Sequence, residues 1–162
     1  MATPNVTFTT TVSDGKFVLN GNTSLSLILT KTVLYRFDQS DSTNINHPLR
    51  FSESDSTLSP ISGITASGTP GESGSYVDVL VDSSFSPSIV YLYCVVHGLG
   101  MGSNYNPVSI TTPITQSNIQ TAVDLWVSNQ ASATSTYGAI NTWDTTAVTD
   151  MGALFQDKAS FN

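Results

Sequence analysis

The stretch Ser88-Ile-Val-Tyr-Leu-Tyr-Cys94-Val-Val-His97-Gly-Leu-Gly-Met101-Gly102 changes character halfway along. Up to Cys94 it is made of β-branched and aromatic residues, the composition of a strand. Beyond His97, the glycines at 98, 100 and 102 interrupt extended pairing and mark a loop. A strand that ends on a cysteine and opens into a loop bearing His and Met can aim three donor atoms at one point. Cys94 is the only cysteine of the chain and His97 is one of its two histidines. The other, His47, opens a second strand-like segment, His47-Pro-Leu-Arg-Phe.

A lone cysteine is most often a small buried hydrophobe. Two imidazoles, one thiolate and a thioether are also the donor set that holds copper in a His₂Cys plane with a weak axial Met. Nothing else in the chain reads as chemistry. Asp38, Asp41, Glu53 and Asp55 are scattered in polar contexts, and Asp38 and Asp41 read as turn-capping residues. With both histidines given to a metal, no Ser/His/Asp grouping can be assembled, and further His clusters for multicopper oxidation are missing. The sequence therefore predicts a protein that is not an enzyme.

Working outward from Cys94, composition favours β-structure throughout. Only 10% of the 162 residues are charged, while 39% are hydrophobic. Ser and Thr fill polar positions where solvent-exposed helices would need Glu, Lys and Arg. Residues Val6–Ser13, Lys16–Leu19, Ser24–Thr30, Thr32–Asp38, Pro48–Ser52, Tyr76–Val81, Ile89–Cys94 and Val108–Thr112 read as strands. Ser13-Asp-Gly and Asn20-Gly-Asn supply turns, because Gly and Asn accept positive φ. Short strands at close spacing predict a mainly β fold, a Greek-key β-sandwich, with Glu53–Ser75 as an exposed excursion.

The formal charge is −7, and the basic residues Lys16, Lys31, Arg36, Arg50 and Lys158 do not cluster. A nucleic-acid surface needs many phosphate-neutralising cations, so that partner is excluded. No apolar run reaches the length of a membrane span. The first ten residues carry neither a basic n-region nor an apolar h-region, so no secretory signal is expected there.

The pattern Tyr-Cys94-x-x-His97 with a downstream Met101, the distant His47 and the β-rich stretch around them resembles the cupredoxins, the family of plastocyanin and azurin. More narrowly, Tyr35-Arg-Phe-Asp-Gln-Ser-Asp, His47-Pro-Leu-Arg-Phe, Gly68-Thr-Pro-Gly and Tyr-Cys-x-x-His-Gly-x-Gly-Met resemble cupredoxin-like modules of marine microbial and phage-encoded proteins. The resemblance covers roughly residues 5–111. It implies one mononuclear copper site, with His47, Cys94 and His97 as equatorial ligands and Met101 as the axial one. The His97-to-Met101 loop is shorter than is usual in plastocyanin, which makes Met101 the departure from the family pattern.

Pro113 marks a change of period. Ile119, Ala122, Val123 and Trp126 fall at i, i+3, i+4 and i+7, which predicts a helix over roughly 117–130. Ser117 and Gln120 form its capping box. Its apolar stripe needs a partner, either the sandwich or the segment that follows. That segment, from Trp143-Asp-Thr-Thr-Ala-Val through Met151-Gly-Ala-Leu-Phe155 to Phe161-Asn162, resembles one unit of the leucine-rich repeats of mycoplasma-type lipoproteins and other bacterial surface proteins. Thr146 stands where that family prefers Ser. One such unit cannot bury its own apolar face.

Two domains are thus expected: a cupredoxin-like sandwich over 1–112, and a helical cap with one partial repeat unit over 113–162. The expected function is that of a structural or adhesive component of a surface or virion assembly, partnered by copies of itself or other assembly proteins. Localisation is expected at an extracellular surface or in a virion. The alternative is a blue-copper electron-transfer protein.

Overall fold

The computed structural model describes residues 3–24, 26–85 and 87–158. The chain forms two compact units, Met1–Ser109 and Ile110–Asn162. Among the described residues, the strands are β1 (Val6–Ser13), β2 (Lys16–Leu19), β3 (Ile28–Thr30), β4 (Leu34–Asp38), β5 (Leu49–Ser52), β6 (Ile64–Ser67), β7 (Tyr76–Leu80), β8 (Ile89–Cys94) and β9 (Val108–Thr111). They make two sheets, in the orders β2-β1-β4-β7-β6 and β3-β9-β8-β5. The fold is mainly β, as the composition predicts.

Local chemistry explains the first hairpin. Asp14 and Gly15 both take positive φ, at 51° and 69°, and join Ser13 to Lys16 across a two-residue turn. Such a turn matches the twist of the flanking strands. β1 then pairs in parallel with β4, with Val6 opposite Tyr35 and Thr9 opposite Asp38.

Alternation fixes which faces meet. Tyr35 and Phe37 point inward from β4, while Arg36 points outward to pair with Asp78 on β7. From the second sheet, Leu49 and Phe51 of β5 and Val90, Leu92 and Cys94 of β8 are all fully buried. The rings of Phe37 and Phe51 lie 5.3 Å apart, so the inner faces of the two sheets touch. Burying a large apolar side chain contributes about 1.5–3 kcal/mol, and such contacts hold the sandwich together.

Several boundaries differ from expectation. The strand expected from Thr32 starts at Leu34, because Thr32 turns the chain with φ 67°. The strand expected over Ser24–Thr30 is confined to Ile28–Thr30, and Leu25 lies outside the described residues. The stretch Glu53–Ser75 is not a bare excursion, since it contains β6. Ile64-Thr-Ala-Ser has modest β-propensity and is a strand because β7 supplies its partners, Ile64 against Val79 and Ser67 against Tyr76.

The second unit carries helices α1 (Ile119–Ser128) and α2 (Gln130–Tyr137). The single helix expected over 117–130 thus ends early, and a second follows it. Asn129, with φ −153°, breaks the run, and its side chain accepts from the Ser132 amide to start α2. The capping box does not form. Asn118 is the residue that enters α1, and its side chain is spent on the preceding turn, accepting from Thr115 N and donating to Pro113 O. Ser117 Oγ meets Thr115 Oγ1, and Gln120 donates to Asp124.

The apolar stripe of α1 finds its partner in the segment that follows. Ile119, Ala122 and Val123 form one buried cluster with Ile114 and Leu154, flanked by Tyr137, Trp143 and Val148. Gln116 Oε1 accepts from the backbone of both Thr149 and Asp150 and so ties the two stretches together. Met151 and Phe155 remain exposed. The last two residues of the repeat-like pattern, Phe161 and Asn162, lie outside the described residues.

Candidate metal centre

Strand register brings the distant histidine to the cysteine. Leu49 of β5 pairs with Cys94 of β8, so His47, two residues before Leu49, falls beside the end of β8. The amide of Val95 donates to Pro48 O at 2.9 Å and clamps the two chain segments at that edge.

The loop after Cys94 is closed by its own backbone. Cys94 N donates to Gly98 O at 3.0 Å and Gly98 N donates to Cys94 O at 2.8 Å. Gly98 has φ 73° and ψ −159°, a conformation that side chains exclude. His97 sits just before this turn and is thereby folded back over the cysteine. Leu99–Gly102 then makes one 3₁₀ turn. At Gly102 a Cβ would stand 2.0 Å from Leu92 O, so only glycine lets the turn press against β8. This packing carries Met101 inward, where it is 3% exposed.

Nδ1 of His47 lies 3.1 Å from Nδ1 of His97, and Cys94 Sγ lies 3.4 Å from the same His97 nitrogen. One ligand atom from each of the three residues falls within 4.8 Å of the others. Donors around a four-coordinate ion at ordinary bond lengths of ~2.0–2.3 Å stand roughly 3.3–3.8 Å apart. The separations of 3.1 and 3.4 Å are close to that range, and the third, within 4.8 Å, closes to it with a small shift of the exposed His97 or half-buried His47 ring. Cys94 is fully buried, His47 half-buried and His97 exposed. These three residues can hold a metal ion. Met101 lines the same cleft as His47 and His97, a space of about 460 Å³ that also borders Lys16.

Electrostatics favour the ligating form of His47. Burial, and after it the repulsion of the His97 ring, push its pKa below the usual 6.5. The ring is therefore neutral at pH 7, with a lone pair free for a metal.

Two groups bordering the site gave no sign in the sequence. Lys16 donates from Nζ to Gly100 O and Ser103 Oγ, pinning the 3₁₀ turn that holds Met101. Gln39, 1% exposed, donates from Nε2 to the carbonyl of His47 at 2.8 Å. Gln39 lies within the Tyr35-Arg-Phe-Asp-Gln-Ser-Asp segment, but nothing in that segment assigns it a role beside His47, and Lys16 reaches partners 84 and 87 positions away. Only the three-dimensional register reveals them.

Comparison of the chain with family models, with curated proteins and with solved structures finds no match.

Proposed function

We propose that the first unit is a cupredoxin-like module that binds one copper ion through His47, Cys94 and His97, with Met101 axial, and that the chain serves as a structural or adhesive component of a surface or virion assembly. The observation that carries the copper reading is the convergence of two imidazole nitrogens and a thiol sulfur at 3.1 and 3.4 Å. A soft sulfur with two borderline nitrogens suits copper, and the thioether of Met101 suits its weak axial position. Bound to the native state alone, the metal stabilises the fold by mass action. The assembly role is supported by the second unit, whose repeat-like segment buries Leu154 yet leaves Met151 exposed. Its partners on this reading are copies of itself or other assembly proteins.

Electron transfer is the second reading. Exposed Val95 and Val96, at 55% and 61%, adjoin the exposed ring of His97 and form an apolar rim at the metal edge. Copper there would supply a one-electron couple.

The test is a visible absorption spectrum after Cu(II) is added to metal-free protein, with Cys94→Ser alongside. An intense charge-transfer band that vanishes in the variant establishes thiolate ligation. A protein that stays colourless under oxidising conditions removes both the copper centre and electron transfer. Sedimentation of the copper-loaded protein then separates the two roles: self-association supports assembly, and a strict monomer supports a carrier.

A further inference from the structure

We infer that Gln39 is the positioning residue of this centre: its buried amide holds the His47 backbone where the imidazole meets the other two donors, before any metal arrives. The inference rests on the metal-binding reading above and extends it to a residue outside the donor set.

The need for such a residue follows from the sequence around His47. Pro48 has no N–H, so the chain cannot continue the ladder of β5 backward through it. The ladder between β5 and β8 begins at Leu49. His47 therefore stands just beyond the last strand pair; Val95 N holds the carbonyl of Pro48, but the ladder supplies no partner for the carbonyl of His47 itself.

Gln39 replaces the missing strand neighbour. Its Nε2 donates to His47 O at 2.8 Å, and its Oε1 accepts from Leu49 N at 3.2 Å. One amide thus spans Pro48 and satisfies the backbone on both sides of it. Gln39 is anchored in turn, since its own N donates to Ser75 O and its O accepts from Gly71 N. Asn44, fully buried, completes the frame. Its Nδ2 donates to Thr10 O at 2.7 Å, its backbone O accepts from His47 N at 2.8 Å, and its Oδ1 faces Gln39 Nε2 at 3.4 Å. Both backbone polar groups of His47 are therefore held, and only its side-chain torsions remain free.

A buried Gln with these bonds could equally be a stabiliser of the fold and nothing more. The two roles part company in metal affinity. Ligand positions must hold to about 0.5 Å for binding to stay tight, so a residue that positions a ligand changes affinity even in a fully folded variant.

The experiment is a Zn(II) titration in competition with a chromophoric chelator, well below the unfolding temperature. It compares the native protein, Gln39→Met, Gln39→Glu and Val79→Ala. Gln39→Met keeps the shape and loses both bonds; Gln39→Glu keeps an acceptor for Leu49 and loses the donor to His47. Val79→Ala removes buried volume from the other sheet and controls for destabilisation alone. Affinity is expected to fall about 10–100-fold in Gln39→Met and less in Gln39→Glu. Val79→Ala should stay within about twofold of native, as it removes none of the hydrogen bonds that hold His47. An affinity within about twofold of native in Gln39→Met, or in Gln39→Glu if only that variant folds, overturns the inference. If the native protein takes no Zn(II) or Cu(II), the metal reading fails, and positioning is then read from the metal-free protein. Broadened or doubled His47 imidazole signals in the ¹H–¹⁵N spectrum of the Gln39 variants support it, and unchanged signals overturn it.

Discussion

The Nδ1 atoms of His47 and His97 stand 3.1 Å apart, although 50 positions separate the residues in the chain. Two imidazoles this close cannot both be protonated without mutual repulsion. Burial and that repulsion hold the pKa of His47 below 6.5.

A pH dependence follows. The unfolded chain protonates His47 at the ordinary imidazole value, whereas the folded chain resists until a lower pH. The stability associated with His47 is therefore complete above 6.5 and is lost as pH falls through the lowered folded value. The denaturation midpoint of the metal-free protein is expected to drop between about pH 7.5 and pH 5.5, and His47→Gln should flatten that slope. An identical slope in the variant would place the acid sensitivity elsewhere.

Met101 offers a test that leaves the fold intact. It is 3% exposed, and Met-to-Leu exchanges of similar volume cost less than about 1.5 kcal/mol. Met101→Leu should therefore fold, and on the copper reading proposed above it should keep the other three donors. Without the thioether the site would offer three donors, a lower coordination number that Cu(I) tolerates better than Cu(II), so the reduction potential should rise and the visible band should shift. A potential and spectrum identical to those of the native protein would remove Met101 from the ligand set.

Legibility in the sequence followed the range of the interactions. Cys94 and His97 share one strand end and one loop, so composition and glycine placement were enough to pair them. His47 could be proposed from its donor chemistry, but only the Leu49–Cys94 register explains why it arrives there. Gln39 stood within the quoted Tyr35-Arg-Phe-Asp-Gln-Ser-Asp segment without a role, because a Gln after a strand gives no hint that it will be buried with its amide turned to His47. The strand β6 was missed for a related reason: its pairing with β7, not its own propensity, makes it a strand. The capping box failed because Asn118, rather than Ser117, enters the helix, a choice that depends on the turn back to Pro113.

The outer face of the first sheet carries its own test. Arg36 donates from Nε and Nη2 to the two carboxylate oxygens of Asp78, both at 2.7 Å, and its guanidinium lies 3.7 Å from the centre of the Tyr76 ring. The bond to Asp78 is the chief cause raising the Arg36 pKa. Asp78→Ala leaves a half-buried cation without its partner and should cost about 2 kcal/mol in urea denaturation. Replacing both residues together, Arg36→Leu with Asp78→Leu, should recover most of that loss, since the penalty lies in the unpaired charge. Equal losses in the single and double variants would mean that the pair itself supplies the stability.

The repeat-like segment can be tested through one side chain. Leu154 is buried in the cluster with Ile119, Ala122 and Val123, while Met151 and Phe155 of the same segment are exposed. From the repeat-like segment the cluster receives one fully packed side chain, Leu154, with Val148 and Trp143 at its border, while Ile114 joins it from the other side of the helix in sequence. A helix of ten residues is marginal on its own and depends on such burial. Leu154→Ala should destabilise the second unit by about 2–5 kcal/mol and lower the helical circular dichroism signal. Met151→Ala, at an exposed position, should change it by no more than about 0.5 kcal/mol. If Leu154→Ala leaves the helical signal intact, α1 does not depend on the segment after it. If Met151→Ala proves as costly as Leu154→Ala, Met151 must be covered in solution by a copy of the chain, and the loss should then depend on protein concentration.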